Sequence, residues 1–85
     1  MKEFSYTIKD KLGVHARPAG LLVKTAEKFE CEINILHNEK LANAKKIFSV
    51  MSLGIHEGDK IKITASGTDE SKAIEKIKKF FEENL

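Results

Sequence analysis

Residues 4–26 of the chain, FSYTIKDKLGVHARPAGLLVKTA, contain the change of hydrophobic period that decides the fold. The first part alternates apolar with polar residues, the apolar ones being Phe4, Tyr6 and Ile8. The last part and the residues after it repeat apolar side chains at helical spacing, namely Leu22, Val23, Ala26 and Phe29. Strict alternation is typical of a half-buried strand, and helical spacing is typical of an amphipathic helix. The pattern therefore predicts a strand followed by a helix.

Pro18 marks the start of this helix, because proline is accepted only in the first turn. Arg17 precedes the proline and is therefore biased away from helical dihedral angles. We expect the helix to begin at Pro18, with His15 at or just outside its N-terminus on a flexible lead-in.

Three further strands are predicted along the chain. Apolar residues alternate with polar ones at Cys31, Ile33 and Ile35, and again at Ile61, Ile63 and Ala65. Asn38 and Glu39 form the predicted turn into a short strand near residues 40–44, although glutamate is a weak hairpin residue.

Two further helices are predicted. Residues 47–53 suit two helical turns closed by Gly54 as a C-terminal cap. Asp69 is the predicted N-cap of the last helix. The apolar face of that helix consists of Ala73, Ile74, Ile77, Phe80 and Phe81. The acids at its end, Glu82 and Glu83, oppose the helix dipole, and no neighbour in sequence explains them.

The order βαββαβα predicts an α+β fold, with a four-stranded antiparallel sheet covered by helices on one side. The chain has 85 residues, which is the size of one small domain, residues 1–85. The pattern does not by itself distinguish this arrangement from other small α+β sandwiches, including ferredoxin-like ones.

Composition excludes several classes of function. The net charge of +2 is too small to indicate a nucleic-acid partner. No apolar run approaches the roughly 20 residues of a membrane span, and the alternating start MKEFSYTIKD is not a signal peptide. We therefore expect a cytoplasmic protein without membrane insertion.

The sequence predicts neither a metal site nor a cofactor. Cys31 is the single cysteine, so no disulfide or cysteine cluster forms within one chain, and we expect it to be a small buried strand residue. The three histidines lack the spacing of a zinc site, and no glycine-rich nucleotide-binding motif is present. His37 and His56 are expected to be solvated residues of a loop or strand edge.

His15 is the candidate reactive residue because of its position and neighbours. The N-terminus of a helix offers unpaired N–H groups and partial positive charge, which together bind anions. Arg17 adds a guanidinium suited to phosphate oxygens, and the positive surroundings favour the neutral, nucleophilic imidazole. The sequence thus predicts a phosphoryl acceptor in an anion site. The alternative is that His15 merely caps the helix and Arg17 is an ordinary surface residue.

The short helix of residues 47–53 is apolar on nearly every side. If Val50 and Leu53 face the core, then Ile47, Phe48 and Met51 face solvent. An exposed apolar patch on a small protein indicates a surface for a partner. The alternative is that a neighbouring loop covers this helix.

Four segments of the chain resemble one known family. They are HARPAG (residues 15–20), the following Leu22-Val23, NAKKIFSVMSLGI (residues 43–55) and SGTDE (residues 66–70). The chain resembles, over its whole length, the histidine-containing phosphocarrier family, HPr, of the bacterial phosphoenolpyruvate–sugar phosphotransferase system. The resemblance implies an open-faced β-sandwich with three helices on one face of the sheet.

The resemblance also implies functions for individual residues. His15 would be phosphorylated at Nδ1 by enzyme I and would pass the group to enzyme II proteins of the enzyme IIA type, with Arg17 stabilising the phosphoryl group and Pro18 starting the helix. Partner-binding positions would be Ala16, Gly20, Lys24, Ile47, Phe48 and Met51. The chain would then be a monomeric, stoichiometric phosphoryl carrier rather than a turnover enzyme, with no cofactor.

One position departs from the family. Many members from low-GC Gram-positive bacteria have a serine there that an ATP-dependent kinase phosphorylates, whereas this chain has Lys46. Regulation through that serine is therefore not expected. Two other functions remain open at this point: a regulatory binding module of a non-transport phosphorelay, and a plain interaction domain.

Overall fold

A computed structural model describes residues 1–85 and contains the seven elements in the predicted order βαββαβα. The strands are β1 (Lys2–Thr7), β2 (Glu32–His37), β3 (Lys40–Asn43) and β4 (Lys60–Ser66). The helices are α1 (Ala16–Ala26), α2 (Ile47–Met51) and α3 (Glu70–Asn84). The predicted α+β class is confirmed. None of the three helices has the length and apolar character that crossing a lipid bilayer demands.

The four strands form one sheet in the order β1-β4-β2-β3, and every neighbouring pair is antiparallel. Because β4 lies between β1 and β2, those two strands run in the same direction without touching. One row of paired residues crosses all four strands: Phe4, Ile63, Ile35 and Ala42. These residues point to the helices, while the alternate residues, such as Ser5 and Glu32, face solvent. One face of the sheet therefore carries the core, as the alternation predicts.

Phe81 of α3 is fully buried and holds this helix on the sheet. Its ring packs edge-on against those of Phe4, Tyr6 and Phe80, with centroids 6.0, 5.6 and 6.0 Å away. Edge-to-face aromatic pairs add to the stabilisation that burial alone provides. Helix α1 buries Leu22 and packs against both α2 and α3, so it lies between them.

Two helix ends differ from the prediction. Phe29 lies beyond α1, whose C-cap is Glu27. Helix α2 ends at Met51 with Ser52 as its C-cap, so Gly54 is not the cap. The reason is that Gly54 donates its N–H to the Met51 carbonyl (3.3 Å), three residues back, in a tighter turn with φ +61°.

Asp69 occupies the predicted N-cap position of α3, but its side chain makes no capping bond. Its carboxylate instead accepts the N–H groups of Glu30 (2.8 Å) and Cys31 (3.0 Å). The bond from Glu30 is the main reason that the pKa of Asp69 lies below its ordinary value of 3.8. The carboxylate therefore ties the start of α3 to the segment that enters β2.

Cys31 is buried, as predicted, although it lies one residue before β2. Burial, followed by its hydrogen bond to Asp69, raises the pKa of the Cys31 thiol to about 11. A thiol that stays protonated at neutral pH is a poor nucleophile and metal ligand. Cys31 is therefore a packing residue.

His37 is buried, and its predicted position in solvent is wrong. Its Nδ1 lies 3.0 Å from the Leu53 carbonyl oxygen, and its Nε2 lies 3.1 Å from Oδ2 of Asp59. The same Asp59 oxygen accepts the N–H of His56 at 2.8 Å, which is the main reason that the pKa of Asp59 is lowered. His37 thus holds the segment between α2 and β4 against the sheet. His56 is exposed, as predicted.

We expect His37→Phe to lower the free energy of unfolding by about 1–3 kcal/mol, because it leaves the buried Leu53 carbonyl without its partner. The control is His56→Phe, whose side chain is 80% exposed; it should change stability by less than about 0.5 kcal/mol. Urea unfolding measures both variants. Equal effects would show that His37 does not hold this segment.

The lowered pKa of Asp69 predicts how stability changes in acid. Its contribution is complete above the unfolded-state pKa, near 3.8, and is lost as the pH falls through the lower folded-state value. Between about pH 5 and pH 2, Asp69→Asn should therefore lose stability less steeply with falling pH than the parent chain. Urea unfolding at several pH values measures this slope. Glu82→Gln, at an exposed position of α3, is the matched control; an unchanged slope in Asp69→Asn would contradict the assignment.

Candidate functional site

Helix α1 begins at Ala16, two residues earlier than predicted, and His15 is its N-cap rather than part of a flexible lead-in. His15 has extended dihedral angles (φ −101°, ψ −174°), and its carbonyl accepts the N–H of Ala19 at 3.0 Å. Arg17 is helical despite preceding Pro18. The bias against helix before proline is therefore outweighed by the contacts that fix the preceding segment.

Those contacts are made by the loop between β1 and α1. Val14 donates its N–H to the Ile55 carbonyl (3.1 Å), and Gly13 donates to the Asp10 carbonyl (3.0 Å). Gly13 has φ +67°, and a side chain there would collide with the Ile55 backbone. Only glycine fits this approach, so the loop delivers His15 to one fixed place.

The N-terminus of α1 is open to an anion. The His15 side chain makes no capping bond, and the first turn contains no acidic residue. The backbone N–H groups of Ala16 and Arg17 have no acceptor within the chain, and Pro18 has no N–H. Two donors and the positive end of the helix dipole therefore remain unused.

His15, Arg17 and Pro18 line one recess of about 280 Å³. The other lining residues are Asp10 and Leu21, together with Glu83 and Asn84 at the end of α3. The end of α3 reaches this recess because the Leu85 carbonyl accepts the N–H groups of Lys9 (2.6 Å) and Asp10 (2.9 Å). Glu83 is unfavourable for the dipole of α3 and no neighbour in sequence explains it, but in the structure it lines this recess.

The electrostatics of the recess combine both signs of charge. The Arg17 guanidinium is exposed and forms no ion pair within the chain, so it is free to bind an anion. Asp10 and Glu83 also line the recess, and their negative charge opposes a bound anion. This mixture suits a group that is bound and then given up, rather than one that is held permanently.

Helix α2 presents the apolar patch on the predicted side. Val50 and Leu53 are buried, whereas Phe48 is 84% and Met51 is 38% exposed, and Ile47 is partly buried. The predicted orientation is confirmed for Phe48 and Met51, whereas Ile47 packs partly buried against the core instead of facing solvent. The alternative of a helix covered by a loop is wrong, because Phe48 is exposed.

The patch lies beside α1 at Gly20. A β-carbon added to Gly20 would come 3.8 Å from Cδ1 of Ile47. The structure thus brings Gly20 together with the patch, and His15 together with Arg17 and Pro18. Lys24 is exposed in the last turn of α1, outside the recess, and Lys46 is the exposed N-cap of α2.

Sequence reasoning missed the recess residues from outside α1. Asp10 has no motif of its own, and Asn84 lies 69 positions after His15 in the chain, at the end of α3. Glu83 was the one residue whose sequence position pointed to the recess. An acid at a helix C-terminus is unfavourable for the helix dipole, so a contact outside the helix is needed to explain it.

Gly20→Ala is expected to stabilise the protein by about 0.5–1 kcal/mol, because glycine is a poor residue in the middle of a helix. The added methyl group meets Ile47 at an ordinary contact distance and needs no rearrangement. Gly54→Ala is the control with the opposite expected sign, since Gly54 has φ +61°. Thermal and urea unfolding measure both. A destabilised Gly20→Ala would mean that α1 and α2 pack more tightly than described.

Comparison with known proteins identifies a family for this arrangement. The family model described as "PTS HPr component phosphorylation site" matches residues 2–83. The phosphocarrier protein HPr of Mycoplasma capricolum is 49% identical over 78 residues, which are 92% of this chain and 88% of that protein. HPr of Mycoplasma genitalium is 44% identical over 85 residues, with coverage of 99% and 97%.

Solved structures agree with these relatives. HPr from Thermoanaerobacter tengcongensis has a TM-score of 0.92 at 45% identity, covering 96% of this chain and 92% of that one. A dimer of HPr from the same organism has a TM-score of 0.78 at 44% identity, covering 98% and 95%. Because a dimer occurs among such similar structures, the expected monomer is not confirmed. Crh of Bacillus subtilis, a catabolite-repression protein, is less similar, with 34% identity, a TM-score of 0.79 and coverage of 94% and 92%.

Proposed function

Because the chain belongs to the HPr phosphocarriers of the phosphotransferase system, we propose that it carries the phosphoryl group on His15 and that Arg17 stabilises that group. The observation that carries this proposal is the open N-terminus of α1. There the His15 side chain makes no capping bond, two backbone N–H groups are unused, and the Arg17 guanidinium is free of any ion pair.

The chemistry asks the protein for position and charge stabilisation. The lone pair on Nδ1 of neutral His15 attacks phosphorus, while Nε2 keeps its proton. The N–P bond forms as the donor's bond to phosphorus breaks, and the electron pair of that bond leaves with the donor. The phosphoryl oxygens are met by the N–H groups of Ala16 and Arg17 and by the guanidinium. Attack by an acceptor on the same phosphorus reverses these steps, so the chain is restored and is not a turnover enzyme.

A carrier needs one partner that donates the phosphoryl group and one that accepts it. We propose enzyme I as the donor and enzyme IIA-type proteins as acceptors. The α2 patch of Ile47, Phe48 and Met51 provides an apolar surface that excludes water around the transfer. Ala16, Gly20 and Lys24 extend this surface along α1. Action as a single copy and a cytoplasmic location remain predictions.

A regulatory module of a non-transport phosphorelay is less supported, because the relatives with higher identity are named HPr. Lys46 supports the same conclusion. It is exposed at the N-cap of α2, where it offers no hydroxyl group to a serine kinase. We propose that the carrier works without regulation at this position.

The test is phosphorylation with phosphoenolpyruvate and enzyme I. Intact mass spectrometry should show one added phosphate that acid removes, and His15→Ala should take up none. Labelling of His15→Ala would place the acceptor elsewhere. No labelling of the parent chain would overturn the carrier assignment.

A second pair of variants separates chemistry from docking. Phe48→Ser should raise the KM for transfer to enzyme IIA roughly tenfold with little change in kcat, because it removes apolar contact only. Arg17→Gln should lower kcat, because it removes charge stabilisation at the phosphoryl group. If both variants changed the same parameter, the two functions would not be separate.

A further inference from the structure

Two more clefts lie along the contact between α1 and α3, away from the α2 patch. One has a volume of about 370 Å³ and the other about 230 Å³, and both are lined by Phe29, Lys76 and Lys79. The second also reaches Glu83, which lines the His15 recess as well. The three hollows therefore follow one another along the same seam. We call the two clefts together the lysine groove.

The lysine groove concentrates the excess charge of the molecule. Its walls carry four exposed lysines, namely Lys28, Lys72, Lys76 and Lys79. None of them forms an ion pair within the chain. The two acids in the walls are Glu75 and Glu83, so the groove has an excess of two positive charges, as large as the net charge of the whole chain. The groove is the natural place for an acidic partner to approach.

The lysines are arranged in a line. Lys72, Lys76 and Lys79 occupy positions i, i+4 and i+7 on one face of α3, which spreads them over roughly 10 Å of helix. Lys28, which follows α1, lines the same cleft as Lys76 and Lys79, and so does the partly buried Phe29. The Phe29 carbonyl accepts a hydrogen bond from Nζ of Lys45 (2.6 Å), which fixes the backbone there.

We propose that the lysine groove binds an extended acidic segment of a protein partner, with an apolar side chain of that segment against Phe29. Charges spread along a line match the carboxylates of an extended peptide. Lysines serve carboxylates as point charges, whereas a compact phosphate ligand favours the forked guanidinium of arginine, which the groove lacks. A small-molecule site would be mostly apolar and enclosed. A nucleic-acid surface would show a larger positive charge and more exposed aromatic rings.

This surface is separate from the proposed docking patch. Helix α1 lies between α2 and α3, so the patch borders one side of α1 and the groove borders the other. A segment bound in the groove leaves Phe48 and Met51 uncovered. The groove therefore allows a second contact, made at the same time as docking. It does not depend on His15 being the acceptor.

The test is an NMR titration of the full chain with a synthetic glutamate-rich peptide that has one central leucine. Amide shifts should concentrate at Phe29 and the four lysines and should vanish in high salt. His15→Ala should bind the peptide as the parent chain does. Shifts centred on Arg17 or on the α2 patch would overturn the proposal.

Charge reversal supplies the matched control. The double variant Lys72→Glu, Lys76→Glu should weaken peptide binding roughly tenfold, since it replaces two attractive charges by repulsive ones. The double variant Lys40→Glu, Lys60→Glu has the same net charge but changes exposed residues of the sheet, and it should weaken binding less than about threefold. Equal weakening would reduce the groove to a net-charge effect and contradict the proposal. Tighter binding of tripolyphosphate, single-stranded DNA or anionic vesicles at the same residues would contradict it as well.

Discussion

The rest of the structure depends on the position of β4 between β1 and β2. Ile63 pairs with Phe4 on one side and with Ile35 on the other. This central strand joins residues from both ends of the chain into one apolar surface, and burial of that surface is the main force available to a domain of this size. Because only one face is apolar, all three helices must lie on the same side. On that side, α1 lies between α2 and α3 and contacts both.

The candidate functional site follows from backbone geometry more than from any cluster of reactive side chains. The close approach of Gly13 to the Ile55 backbone fixes the loop, and the loop fixes His15 at the start of α1. The helix then supplies unpaired N–H groups and a partial positive charge without any specialised residue. Arg17 adds attraction, while Asp10 and Glu83 add repulsion. A carrier needs this balance, because a group held too strongly could not be passed on.

The sequence pattern predicted the features that depend on neighbouring residues in the chain. The seven elements, the orientation of α2 and the position of His15 near a helix start all follow from periodicity and from proline. The strand order did not, since nothing in the alternation of one strand names its neighbour. The side-chain contacts of Asp69 and His37 were missed for the same reason. Their partners, Glu30 and Asp59, lie 39 and 22 positions away. Short-range rules therefore placed Asp69 correctly at the N-cap of α3 but without its bond to Glu30, and placed His37 wrongly in solvent.

Helix α1 connects His15, the α2 patch and the lysine groove. Its N-terminus holds His15, one side borders the α2 patch, and the other borders the lysine groove. Gly20 weakens this helix by about 1 kcal/mol relative to alanine. The structure shows no backbone need for it, since the position is helical and a β-carbon would fit. The remaining reason is surface shape: without a side chain at Gly20, a partner can lie close against α1 beside Ile47. If partners dock at Gly20 as proposed, the helix gives up stability where that contact requires a flat surface, and it keeps the contact at a fixed distance from His15.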